Sequence, residues 1–156
     1  ETGRESAMFR FNANKSSELH ELAKVASGGE LSRVLLAIKS LIAAKKSLPS
    51  IIFDEIDSGI SGEIAGKMGG IMQLISKDMQ VIAITHLPQI AARGAHHFVV
   101  FKETDNKITK TLIKELQQEE RIVEIAKMLS DSTVTLPAME TAKELLKINL
   151  FTKLNN

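Results

Sequence analysis

Two carboxylates close a short apolar run, Ile51-Ile52-Phe53-Asp54-Glu55, and they are the residues here best suited to chemistry. One carboxylate can hold Mg²⁺, which prefers hard oxygen ligands and keeps several of its waters. The other can orient and polarise a water for in-line attack on phosphorus. Neighbouring strand positions face opposite ways, so a division of labour between the pair is reasonable. The same pair also suits a solvated acidic turn. Asp57-Ser58-Gly59-Ile60-Ser61 follows directly. Its Asp and Gly suit a tight turn and Ser61 suits a helix cap, in a loop that must lie beside the carboxylates.

Two further segments carry groups that recognise phosphate. Ser27-Gly28-Gly29-Glu30 precedes a run with helical periodicity. A helix start offers unpaired N–H groups and the positive end of the helix dipole, and glycines let a ligand approach that backbone. An ordinary N-cap with a flexible hinge fits those residues too. His86 ends a second apolar run, where its imidazole can donate to a phosphate oxygen or act simply as a polar strand end. His96 and His97 are adjacent, so on a strand they point to opposite faces, which disfavours joint chelation with His86. Ser27 lacks the strand-turn-helix serine elbow, and no paired base is evident.

A phosphate loop, Gly-x-x-x-x-Gly-Lys-Ser/Thr, is missing from these residues. The nearest imitation, Gly62-Glu63-Ile64-Ala65-Gly66-Lys67-Met68, is one residue short and ends in Met where a hydroxyl is needed. It falls within a predicted helix, and its glycines read as helix-packing positions. The chain thus carries water-activating and phosphate-sensing groups without the main nucleotide cradle.

The elements that position these groups follow from periodicity. Residues 7–14 alternate around Phe9 and Phe11 as a half-buried strand, and 15–24 read as a connecting loop. Leu31, Val34, Leu35, Ile38, Leu41 and Ile42 share helical spacing, with Ser27-Gly28-Gly29 at the cap. Ser50 to Phe53 and Val81 to Thr85 are short apolar runs of the kind found in strands covered on both faces. A helix over 62–76 joins them into a parallel βαβ unit, whose crossover is expected to be right-handed. Both chemically loaded strand ends then emerge at the carboxyl edge of the sheet, where open α/β folds bind ligands. A short helix over 87–93, strands over 97–103 and 107–116 around a turn at 104–106, and helices over 118–129 and 138–148 complete the reading. No internal repeat or second-domain linker is visible, so 1–156 reads as a single α/β domain.

Bulk properties narrow the class. Lys and Arg number 20 against 19 Asp and Glu, so net charge gives no support for direct nucleic-acid binding by this segment. With no cysteine, a disulfide scaffold and a thiolate metal site are excluded, and the composition suits a reducing cytoplasm. No apolar run approaches the length of a membrane-spanning helix. The first residue is Glu1, and with the missing phosphate loop this reads as a sequence beginning inside a longer protein.

Taken in order, the segments resemble the second half of an SMC-like, ABC-type ATPase head. Ser27 to Leu31 resembles the signature motif, Ile51 to Glu55 Walker B with its glutamate, Asp57 to Ser61 the D-loop, and His86 the switch histidine. The wording of residues 24–33, 53–62 and 85–91, with Phe101-Lys102-Glu103-Thr104 and Ala142-Lys143-Glu144-Leu145-Leu146, is similar to the RecN family of bacterial DNA-repair ATPases. The resemblance implies the carboxyl-terminal lobe of a P-loop NTPase fold, with parallel core strands flanked by helices and a β-hairpin. It implies ATP and Mg²⁺ as cofactors, bound in the complete engaged head. As partners it implies the Walker A lobe of the same head, a second head in a homodimer, and DNA through the full-length protein. It also implies a cytoplasmic, nucleoid-associated setting, with no membrane.

By that resemblance Ser27, Gly28, Gly29 and Glu30 belong to the surface contacting the γ-phosphate of ATP held mainly by the opposing head. Asp54 would organise Mg²⁺, Glu55 would activate water, His86 would sense the γ-phosphate, and Asp57 would link the two sites across the interface. The phosphate loop and the intervening coiled coil are absent from this sequence, which implies that the segment alone hydrolyses no ATP. A lobe completing a partner ATPase in trans and a transporter nucleotide domain are the alternative readings. A missing lobe also predicts exposed apolar surface on the sheet.

Overall fold

The computed structural model describes residues 3, 5, 7–12, 18–22, 28–46, 48–105, 108–130 and 133–154. Near the start, β1 (Arg10–Phe11) pairs antiparallel with β2 (His20–Glu21). The expected strand over 7–14 is therefore short, with Ala13 and Asn14 outside the described residues. The expected loop over 15–24 contains a strand of its own, because His20 and Glu21 complete a ladder with Arg10 and Phe11.

Helix α1 (Gly28–Lys46) confirms the helical spacing, but the apolar stripe does not lie on the core. The buried positions are Gly29, Leu36 and Ala43, seven residues apart and hence on one face. Leu41 is 71% exposed, and Leu31, Leu35 and Ile42 are exposed as well. Gly29 lets the helix approach its neighbours closely, and Leu31, Leu35, Leu41 and Ile42 are left on the outer side.

The centre is β3 (Ser50–Asp54), helix α2 (Gly62–Ile75) and β4 (Gln80–Ile84), with β3 and β4 parallel as predicted. Ile51 pairs with Val81 and Phe53 with Ala83 on one face; Ile52 pairs with Ile82 and Asp54 with Ile84 on the other. The first face rests on a core of Leu36, Phe53, Ile60, Ala65, Met68, Met72 and Ile90. The second is bare: Ile52 is 58% and Ile84 54% exposed. Strands covered on both faces were expected, and among the described residues helices cover only one. The exposed apolar surface predicted for a missing lobe is on this sheet.

Gly62 and Gly66 lie in α2, and among the described residues no other element comes within 4 Å of where a Cβ would stand, so they are not packing positions there. Gly69 takes that part instead, with a built Cβ 3.2 Å from the Gln89 carbonyl oxygen. That carbonyl belongs to the short helix α3 (Pro88–Ala91). The long hairpin β5 (Phe98–Asp105) and β6 (Ile108–Glu115) follows, with exposed Val100 opposite exposed Ile113. Asn106 of the expected turn lies outside the described residues.

Helix α4 (Gln118–Met128) opens with a capping box between Gln117 and Glu120. It packs on α5 (Leu136–Leu154), which is longer than its apolar spacing indicated, around Ala92, Ile125, Ala126, Ala142 and Leu146. Arg121 is buried beside this second core, and its guanidinium donates to the Gly94 carbonyl at 2.7 Å and the Ala95 carbonyl at 3.3 Å. These bonds fix the bend between α3 and β5. Among the described residues, no helix is long and apolar enough to cross a membrane.

Candidate functional site

The apolar alternation that buries Phe53 sends Asp54 and Glu55 out of the carboxyl end of β3, where both side chains are exposed. Glu55 has φ +47°, a left-handed backbone conformation uncommon for a side chain of this kind. Its backbone is held in place. The Glu55 N–H donates to the Ile84 carbonyl at 3.2 Å, and the Glu55 carbonyl accepts from the Ser58 N–H at 3.2 Å and the Ser58 hydroxyl at 3.0 Å. The turn presents the carboxylate while the neighbouring strand end anchors the chain beneath it.

Asp57 is unlike its two acidic neighbours. It is 0% exposed. Its Oδ2 accepts from the Thr85 hydroxyl and from the His86 N–H at 3.3 Å, and His86 Nδ1 lies 3.6 Å away. The Leu87 N–H donates to Thr85 Oγ1 at 3.0 Å, so the hydroxyl accepts from one side and donates to the other. Among the described residues Asp57 Oδ1 is buried without a partner. The loop after β3 is thereby tied to the end of β4, and the His86 side chain stands 67% exposed at the same edge. In this chain Asp57 turns inward, where two donors at the end of β4 take up its Oδ2.

The tip of α1 joins the same corner. A Cβ on Gly29 would stand 2.8 Å from the Gly59 carbonyl oxygen and 2.9 Å from Ile60 Cγ2, so only glycine allows this approach. Gly59 in turn has φ +76°, which glycine adopts without strain. Gly28 is exposed, and among the described residues nothing beyond its chain neighbours and its own helix lies within 4 Å of a built Cβ. Glu30 is half-buried in the first turn of α1. Ser27 lies outside the described residues.

Of the residues singled out from sequence, Gly28, Gly29, Asp54, Glu55, Asp57 and His86 therefore belong to elements converging on one sheet edge. The hard oxygens of Asp54 fit an ion that takes one or two carboxylates and fills its remaining positions with water and phosphate. His96 and His97 diverge, as expected of neighbours entering a strand. His96 Nδ1 pairs with Glu115 Oε1 at 2.6 Å, whereas His97 is turned inward, and burial, then the nearby Arg121 charge, holds its pKa below the ordinary value. Thr85 was missed from sequence. Its partner lies 28 residues earlier, and only its place just ahead of His86 marks it out.

No family model matches the sequence. The chain is 44% identical over 144 residues to the DNA repair protein RecN of Vibrio cholerae, covering 92% of this chain and 26% of that protein. It is 43% identical over 147 residues to RecN of Bacillus subtilis, covering 94% and 26%. It thus spans about a quarter of the length of the curated relatives it matches. Among solved structures, one from work on ATP-driven dimerization and DNA-stimulated activation of SMC ATPases superposes with TM-score 0.57 at 19% identity, over 76% of this chain and 70% of that one. The Smc head domain of Pyrococcus yayanosii gives TM-score 0.57 at 19% identity, over 72% of this chain and 21% of that one. These two likenesses show the fold, and the sequence matches liken the chain to about a quarter of the length of the RecN proteins.

Proposed function

We propose that this chain is the carboxyl-terminal lobe of an ATPase head acting in DNA double-strand-break repair and recombination. ATP binding between two heads engages them, and hydrolysis releases them. The observation that carries this reading is the in-register parallel pairing of β3 with β4, which brings the ends bearing Glu55 and His86 to one edge. The tip of α1 packs on the loop between them.

In this reading Glu55 orients and polarises the attacking water. The locked backbone beneath it holds the carboxylate in place without help from the side chain. The first turn of α1, from Gly28 through Glu30, offers backbone N–H groups to the terminal phosphate of a nucleotide held by another body. His86 contacts that phosphate as well. Asp54 holds Mg²⁺, which neutralises charge on the phosphates when bound. The nucleotide cradle itself comes from a lobe bearing a phosphate loop, and the exposed isoleucines of the sheet are the surface such a lobe would cover. The isolated chain is therefore expected to turn over no ATP.

Replacing Glu55 with Gln in the complete protein should preserve ATP binding, read by equilibrium dialysis. Steady-state turnover should fall by about a hundredfold or more. Ordinary turnover in that variant would remove Glu55 from the reaction.

A further inference from the structure

A carboxylate with no exposed surface is costly unless other groups compensate it. Among the described residues Asp57 is the buried acid, and the cation-forming group set beside it is His86. We propose that Asp57 is the positioning residue for His86, fixing its backbone and selecting which ring nitrogen carries the proton. The inference rests on the ATPase reading for its consequence in turnover, but not for its geometry.

Oδ2 of Asp57 already accepts from Thr85 and from the His86 N–H, so the peptide that carries the imidazole is held at the carboxylate. His86 Nδ1 then lies 3.6 Å from that same oxygen. A bare Nδ1 would turn its lone pair toward a negative oxygen, and a protonated one turns a positive hydrogen toward it. The carboxylate therefore selects the Nδ1–H form, since the partner of one ring nitrogen determines the state of the other. Nε2 is left as the nitrogen available at the exposed edge. It is an acceptor in the neutral ring. Thr85 is part of the device, because the Leu87 N–H it accepts leaves its own proton for Asp57.

The test is ¹⁵N NMR of the histidine rings in the complete protein at alkaline pH, with His86→Gln identifying the His86 signals. Wild type should show a protonated Nδ1 and an unprotonated Nε2. Asp57→Asn keeps an oxygen to accept from Thr85 and the His86 N–H while removing the charge. It should shift population to the Nε2–H form at a nearly unchanged thermal midpoint, and kcat should fall by about tenfold to a hundredfold with KM for ATP little altered. A predominantly Nε2–H ring in the wild type overturns the proposal whatever the variants do, including an Asp57→Asn protein that fails to fold. So does an unchanged tautomer in a folded Asp57→Asn protein. Ordinary turnover in Glu55→Gln would instead overturn the ATPase reading and leave the tautomer result standing.

Discussion

The two cores of this chain are finished to different degrees. The second, between α4 and α5, supplies acceptors for two nitrogens of its own buried charge: Arg121 Nη1 and Nη2 donate to the Ala95 and Gly94 carbonyls of the same chain. The first, beneath β3 and β4, packs Phe53 fully on one face of the sheet and leaves Ile52, Ile82 and Ile84 open on the other. Every candidate catalytic group stands at the rim of the unfinished core. Under the proposed ATPase reading this site is composite: its elements are held from one side by their own chain, and the open apolar face is the one a further lobe would cover.

Removing a large side chain from each face of the sheet is the strongest way to break the comparison. Phe53→Ala should lower the unfolding free energy of the chain by about 3–5 kcal/mol, because it removes a full side chain from the covered face. Ile52→Ala, one residue away, should cost less than about 1 kcal/mol in the isolated chain, since most of its side chain already meets water. Urea titration of both variants gives the contrast directly. Equal losses would mean that the open face is covered in solution.

Sequence periodicity made most of the architecture legible. The parallel pair, the helix between its strands and the hairpin follow from apolar runs of the right length bounded by turn residues. The acidic pair and the histidine were placed at one edge by the same logic. Burial was harder to read. The six-residue stripe of α1 looks like a core face, yet Gly29, Leu36 and Ala43 are the positions this chain buries. Hydrophobic pattern records every surface that will eventually be covered, including those covered by another body. The burial of Asp57 was hidden for a related reason. Asp-Ser-Gly has the composition of a solvent-facing turn, and nothing local reveals that Thr85 and the His86 N–H arrive from 28 and 29 residues further on.

Polar substitution on the open face sharpens the same contrast at smaller amplitude. Ile82→Thr with Ile84→Thr should reduce self-association of the isolated chain, read by sedimentation velocity. Stability should change by less than about 1 kcal/mol, as both side chains are substantially exposed and threonine retains strand propensity. In the complete head proposed above, the same pair should weaken assembly, because there the face would have a partner to lose. A chain that stays monomeric at every concentration, with and without the substitutions, would show that the exposed isoleucines are not adhesive.

The smallest expected effect belongs to the finished core and concerns pH. His97 is pushed below its ordinary value of 6.5 by burial first and by the Arg121 charge second. The folded state therefore resists protonation that the unfolded chain accepts, and below about pH 6.5 the unfolded state binds more protons. Stability present above that pH should decline as the solution is acidified toward the folded-state value and level off beneath it. The loss should amount to less than about 1 kcal/mol once partial solvent screening of the ring is allowed for. His97→Gln should flatten this part of the pH–stability curve, measured by urea midpoints between pH 7 and pH 5. A variant that kept the wild-type slope would assign the acid sensitivity to other groups, and Arg121 would then act on the Gly94–Ala95 bend alone.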